Sequence, residues 1–518
     1  MKSIIIFSLL FSFGLVRVPR LSAQVDSIPL PLKSQRWQWF RSMPTGLGQT
    51  MPEAYALSYF YADYRKQAFR QGRQPGYVKQ FGFYTEGITK VKQVTLFGEA
   101  RIEKELLTDH NWDLSHVEQL RGEQNVSPFH YAAYHPGNWD NQKYEFKLGF
   151  TVPLFNEKLQ QALYLRYEAS NYYRLQEPQP KIDYFLINFS YQAAFQLAPG
   201  WQVGAFVSKG KSEKEFNINY KDVYRDSPSF PEYYNRIVIG YGTVEGAEQR
   251  RGEPVKKDTD FGGFIQKTTS RQDAYLKIKR YSFTDEYIFP TIENGKRIGS
   301  DTIGDYRSDG WELNALIVGK SAYQSRFLRI QANMADGINY NRVLGGYNYL
   351  YKESALEITV GKTNWQRNYH SIWLGARYDT YQKEDTQAEV LLKVANLKGE
   401  VGWLKKYALP KGHHLQPLVE GSYTVSLSKR LQVGEGSVDQ AFYQDIIQRD
   451  YFFATADKVS LTTGLEYEVP MKKESHRAFI QIQGNLLQAI ATSSQMEGLP
   501  ESWKKLNLTA SLKLGFRF

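Results

Sequence analysis

Hydrophobic and polar positions alternate one for one over long stretches of this chain. The clearest run is 505–518. There Leu506, Leu508, Ala510, Leu512, Leu514, Phe516 and Phe518 alternate with Lys505, Asn507, Thr509, Ser511, Lys513, Gly515 and Arg517. A period of two over that length is a strand with one wholly apolar face. It is much longer than the ~5–6 residues of an ordinary globular strand. The pattern recurs at 143–154, where Tyr144, Phe146, Leu148, Phe150 and Val152 oppose Lys143, Glu145, Lys147, Gly149 and Thr151. It recurs again at 163–170, 327–334, 371–379, 415–427, 458–469 and 478–488. Strands of ~10 residues with one apolar face suit a tilted crossing of a bilayer. A soluble β-sandwich alternates too, but over shorter strands with turn signals every ~8–12 residues. The pattern therefore predicts an all-β fold, a transmembrane antiparallel up-and-down β-barrel.

The spacing between strands sets direction, because such barrels carry short periplasmic turns and long extracellular loops. Short connections are expected at 88–91, 155–159, 195–200, 269–272, 320–324, 364–368, 408–413 and 470–475. Long outer ones are expected at 66–76, 105–141, 173–181, 213–259, 286–307, 335–350, 382–388, 429–456 and 491–503. Arg236 to Val244 also reads as extended, but counting it as spanning breaks the long/short alternation. It is placed outside, which gives 18 strands between residues 54 and 518, with 16 as the alternative. The Pro-rich stretch 24–53 does not alternate and is expected as a periplasmic lead-in or a segment tucked into the lumen.

Composition adds constraints. Residues 1–23 read as a signal peptide: Lys2, an apolar run from Ile4 to Val16, then Leu21-Ser22-Ala23 before Gln24. Its removal takes away three of the 65 basic residues and lowers the net charge from +11 to near +8. The remaining basic residues are interspersed with 54 acids, whereas a nucleic-acid binder gathers them into one stripe. There is no cysteine, which excludes disulfides, thiolate metal sites and a cysteine nucleophile. A mean hydropathy of −0.52 fits a barrel, because half of every strand faces a wet lumen.

Candidate chemistry is sparse. His110, His116, His130 and His135 share the first long loop region with several carboxylates, a weak pattern for a transition metal. No pair has tight ligand spacing, so no metal or cofactor is expected. His370-Ser371 is an adjacent base–nucleophile pair on a strand, without a clear third member. Gly361-Lys362-Thr363 lacks the earlier glycine of a phosphate loop, because Leu356 stands there. More informative are charges on the faces assigned to the lumen: Glu99, Arg101, Glu145, Lys147, Arg166, Glu168, Arg329, Arg377, Asp379, Glu420, Lys505, Lys513 and Arg517. Both signs occur, which favours pairing within the wall over a single-sign selectivity ring.

The Ala23-Gln24 junction, the Tyr-rich chain and the closing strand Leu506 to Phe518 resemble outer-membrane barrels common in Bacteroidota. Ser127-Pro128-Phe129 through Pro136-Gly137-Asn138-Trp139, with Tyr144 beyond, resembles an uncharacterised family of such barrels; no functional residue carries over. The chain does not resemble a complete TonB-dependent receptor, a 22-stranded barrel with a folded N-terminal plug. The resulting expectation is a non-enzymatic barrel of the cell outer membrane that passes or captures small solutes, or an accessory of a larger uptake complex. Its partners would be membrane lipid, the barrel-insertion machinery, and a TonB-dependent receptor or surface lipoprotein. The alternative is a structural barrel with a closed lumen whose loops bind a partner. An outer-membrane hydrolase ranks third.

Overall fold

The structure is a computed structural model that describes Thr45 and residues 54–115, 124–247, 249–293, 296–321, 323–364, 369–436, 438–471, 476–490 and 506–518. Residues 1–23, expected as a signal peptide, lie outside the described residues, as do residues 24–53, expected as a lead-in, except for Thr45, which is fully buried.

Eighteen antiparallel strands form one closed ring. The first nine are β1 (Ala54–Lys66), β2 (Tyr77–Val91), β3 (Val94–His110), β4 (Gly137–Leu154), β5 (Leu159–Arg174), β6 (Gln179–Ala198), β7 (Trp201–Asn219), β8 (Val255–Thr268) and β9 (Gln272–Glu293). The second nine are β10 (Lys296–Lys320), β11 (Gln324–Asn341), β12 (Tyr349–Asn364), β13 (His370–Asp385), β14 (Val390–Lys405), β15 (His414–Gln432), β16 (Asp457–Pro470), β17 (Arg477–Ile490) and β18 (Asn507–Arg517). Each strand pairs with the next, and β18 pairs back onto β1, with Leu512 opposite Ala62 and Ser511 opposite Asp63. Closure leaves no unpaired edge, which a spanning sheet requires because a bilayer core offers no water to unpaired amides.

The pleat gives each strand two different faces. Leu508, Leu512, Leu514 and Phe516 of β18 stay exposed, as do Ile480 and Ile482 of β17, Ile372 and Leu374 of β13, and Leu148 and Phe150 of β4. Their neighbours point into the ring. An exposed apolar row on strand after strand makes a continuous outer band of the kind a lipid phase solvates. Among the described residues no helix is long and apolar enough to cross a membrane.

Several boundaries differ from the sequence reading, most of them because the strands run on, whereas the strands after 368, 388 and 475 begin one residue later than expected. Residues 88–91 belong to β2, and the turn is at 92–93. The first long outer loop shrinks from 105–141 to 111–136. Residues 286–307 are largely hairpin: β9 and β10 stay paired up to Glu293 opposite Lys296, beyond the reach of β8 and β11. Residues 213–219 lie in β7 and 255–259 in β8. Backbone pairing continues past the outer apolar band, where the outward face turns polar, as at Glu213, Glu215 and Asn217, while inward Phe216, Ile218, Tyr287 and Phe289 pack in the mouth. The extended piece near 236–244 does not span: Arg236–Val238 and Val244–Gly246 form a small antiparallel sheet with His130–Ala132.

That small sheet lies inside the mouth. Leu114, Phe129 and Tyr131 of the loop 111–136, and Ile237 and Ile239 of the loop 220–254, share one buried cluster with inward residues of β2 to β7 and β9. Tyr172, Tyr184, Phe216 and Tyr287 are among those wall residues. The other side of the mouth is filled by a helical segment, Gln440–Phe442, Tyr443–Ile447 and Gln448–Thr455, with a π turn in its middle. Its Phe442, Ile446 and Ile447 pack with Trp112, Tyr241, Tyr306, Tyr351, Leu392 and Val394. Loops that touch the inner wall on both sides fold into the ring rather than over it. Each large apolar side chain so buried contributes ~1.5–3 kcal/mol. At the opposite, short-turn end a third cluster gathers inward Ile88, Phe206, Phe264, Tyr275, Leu316 and Phe327.

Candidate functional site

The interior is thus apolar at both ends, and the middle is charged. On the wall of β3, β4 and β5 a ladder runs Glu99–Lys147 (3.5 Å), Lys147–Glu145 (3.4 Å), Glu145–Arg166 (3.0 Å) and Arg166–Glu168 (3.4 Å). On β11 to β14, Arg329 pairs with Glu357, which also faces Arg377 at 3.8 Å. Arg377 meets Asp379 at 3.4 Å, and Asp379 accepts from the Asn396 amide at 3.2 Å. Arg101 lies 5.6 Å over the Tyr84 ring and Lys513 lies 5.4 Å over Tyr59. Arg517 is held by Glu466 at 2.8 Å and by Glu468. Glu420, on β15, stands next to the Lys398–Glu400 pair of β14 on the same wall. Lys505 lies outside the described residues.

The histidines are dispersed. His110 ends β3, buried, its ring edge-on to Trp139 at 6.2 Å. His130 is buried with Nδ1 2.8 Å from the Pro128 carbonyl oxygen. His135 stacks on Tyr233 at 4.4 Å, 3.6 Å from a Glu232 oxygen. Burial and the Arg174 charge lower its pKa, against the pull of Glu232. His116 lies outside the described residues, and among the described residues no group of three possible ligands could hold a metal ion. His370 and Ser371 are consecutive on β13 and so face opposite ways, and the Ser371 hydroxyl is 3.0 Å from that of Thr363.

Sequence reasoning missed the hub that locks the mouth. Asp450, on the helical segment, is buried and accepts from the Gly72 amide (3.1 Å) and the Tyr241 hydroxyl (3.1 Å). The Lys383 ammonium of β13 lies 3.7 Å away. One carboxylate thus joins the loop 67–76, the loop 220–254, the helical segment and the wall. Arg73 stands half-buried beside it, over the Phe442 ring at 5.8 Å. Burial lowers the Arg73 pKa, while Asp113 and Asp450 pull it back up. Burial and the Asp450 charge push the Tyr241 phenol well up. A second clamp holds residues 239–243. Asp385 accepts from the Thr243 amide at 3.0 Å, and the Asn339 and Asn348 amides donate to the Ile239 carbonyl at 3.2 and 3.0 Å. The Trp112 indole donates to Asp445 at 3.1 Å. Gly72 and Gly240 permit these approaches, because a Cβ would collide with the Asp445 carbonyl at one and the Asp385 carboxylate at the other. The partners lie up to 378 positions apart, and no local pattern marks them.

The arrangement is therefore a lumen with a paired-charge wall beneath a plug made of the chain's own loops. Buried polar hubs of this kind add geometric specificity at little net stability, and losing one partner is costly.

Among solved structures, the chain is similar to the copper transporter OprC, with 7% identity over 90% of this chain and 80% of that one and a TM-score of 0.41. The ferric enterobactin receptor PfeA of Pseudomonas aeruginosa aligns at 8% identity over 89% and 80%, TM-score 0.40. A Pseudomonas aeruginosa FadL homologue aligns at 10% over 92% of each chain, TM-score 0.35. The fold assignment rests on the strand pairing itself. No curated protein matches the sequence. Residues 44–518 match DUF6850, a family of unknown function, and the chain belongs to that family.

Proposed function

We propose that this chain is a non-enzymatic outer-membrane barrel that admits small solutes through a mouth gated by its own loops. The observation that carries this reading is the plug, which is folded from loops and tied at its centre by the Asp450 carboxylate. A plug of loops can leave the mouth without unpairing any strand. The lumen wall beneath it is charged and suits water and polar solutes. In this reading the long-loop end is extracellular and the short-turn end periplasmic.

The test is planar-bilayer recording. The intact protein should be silent or flicker rarely. Replacing 438–456 by a short Gly-Ser linker should give steady conductance. If the shortened protein inserts and stays silent, the gated-passage reading fails and the alternative takes its place: a closed structural barrel that binds a partner through its loops. One observation favours that alternative, namely that Val223, Phe230 and the 80% exposed Tyr224 stand free on the loop 220–254. A surface lipoprotein or a TonB-dependent receptor would be the class of partner.

A further inference from the structure

The outer wall carries a feature that the gated lumen does not use. On β14 and β15, Leu397 lies opposite Val425, Gly399 opposite Tyr423, and Val401 opposite Gly421. Leu397, Val401 and Tyr423 are exposed, so this is the lipid-facing side. The two glycines leave a groove of about 420 Å³ among these six residues and the intervening Glu400 and Ser422. A Cβ built at either glycine meets nothing within 4 Å.

Lys393 stands four positions from Leu397 toward the long-loop end, ~13 Å along the strand at ~3.3 Å per residue. Its partner across the ladder is Arg430. Inward Leu392 and Val394 pack in the mouth cluster, which fixes Lys393 on the outer face. A bulge between Ala395 and Asn396 inserts Leu427 as the extra residue of β15. The bulge turns Arg430 outward to meet Lys393 and leaves Leu431 packed against the mouth cluster. Like charges placed directly opposite each other are destabilising. Both are exposed, and among the described residues neither forms an ion pair. Gln382 flanks Lys393 on β13, and Lys352 of β12 follows in the same outer row, beside Asp336 of β11. The acids nearby are already engaged: Glu400 pairs with Lys398 at 2.7 Å, Glu384 of β13 accepts from the Gln382 amide at 3.0 Å, and Asp457 accepts from the Tyr423 hydroxyl at 3.3 Å and the Ser426 amide at 3.2 Å.

Resting on the outer-membrane reading, we propose that β14 and β15 form a binding site for a phosphorylated, acylated glycolipid of the outer leaflet. One phosphate lies between Lys393 and Arg430 and relieves their repulsion, and one acyl chain lies in the glycine groove below. The order along the strand, cations at the membrane edge and groove in the apolar band, matches the order of headgroup and chain in such a lipid. Guanidinium and ammonium groups at a membrane surface are the usual partners of lipid phosphate.

The experiment titrates purified protein in neutral detergent with bisphosphorylated lipid A, phosphatidylglycerol and phosphatidylcholine, and counts bound lipid by native mass spectrometry. The wild type should retain lipid A in preference to both phospholipids. Lys393→Gln with Arg430→Gln should weaken retention at least tenfold. Gly399→Leu with Gly421→Leu fills the groove without touching the cations and should weaken retention as well. Heat-modifiable migration confirms that each variant is folded. Unchanged retention in either pair of variants overturns the proposal, as does equal retention of phosphatidylcholine or a preference for phosphatidylglycerol. Density-gradient fractionation separates the two levels. Protein found outside the outer membrane defeats the underlying reading, whereas protein within it that ignores lipid A defeats only this site.

Discussion

Arginine at Leu512 should keep the barrel from assembling, while arginine at the adjacent Ser511 should leave it intact. Leu512 sits on β18 with its side chain on the exposed apolar row, opposite Ala62 of β1 and Ile482 of β17. Both neighbours are apolar, so the new cation would meet only lipid, at ~2–4 kcal/mol near the midplane. The site also lies on the seam where the last strand meets the first, so the loss falls on ring closure itself. Ser511 points inward and pairs in register with Asp63. Arginine there gains a carboxylate neighbour in a polar wall. Heat-modifiable gel migration of membrane fractions distinguishes folded from unfolded barrel. Assembly of the Leu512 variant together with failure of the Ser511 variant would mean the two faces are inverted.

Replacing Asp450 by alanine should release the plug while leaving the ring closed. The side chains of Asp450 and Lys383 are both under 10% exposed, and removing one partner of a buried pair costs ~3–5 kcal/mol. The same change strips the acceptor from the Gly72 amide and the Tyr241 hydroxyl. The strand ladder makes no use of Asp450, so the loss falls on the loops. Hydrogen exchange over 440–455 should speed by at least tenfold, with exchange in β11 to β14 unchanged, and conductance bursts should appear in bilayer recordings. Asp450→Asn keeps an acceptor and should fall between wild type and alanine. Unaltered protection of 440–455 in the alanine variant would remove Asp450 from its place as the latch.

Residues that face lipid were legible from the start, and those that face each other across the mouth were not. The run from Leu506 to Phe518 identified β18 because lipid tolerates no polar residue on that face. The same logic put Glu145, Lys147 and Arg166 on one face, where they pair with one another, but did not point to Glu357 as the carboxylate shared by Arg329 and Arg377. Register between neighbouring strands decides such sharing, and register is not written in the alternation. The strand ends were misjudged wherever pairing outruns the apolar band, most at Tyr287 to Ile303, where the two strands pair with each other beyond the neighbouring strands and are supported by the mouth cluster through Tyr287 and Phe289.

What the chain determined alone is its class: a large antiparallel barrel with long connections at one end and short ones at the other, its 18 strands expected and 16 left as the alternative until the pairing decided. A single physical demand repeats there at every second residue, since each outward side chain must suit lipid and each backbone amide must be paired. What tertiary structure alone decided is the inside of the mouth. Gly72, Tyr241, Lys383 and Asp450 come from four distant segments, and each looks like an ordinary loop or strand residue. Their meeting depends on the ring closing first, because only a closed wall gives the loops an inner surface on which to fold.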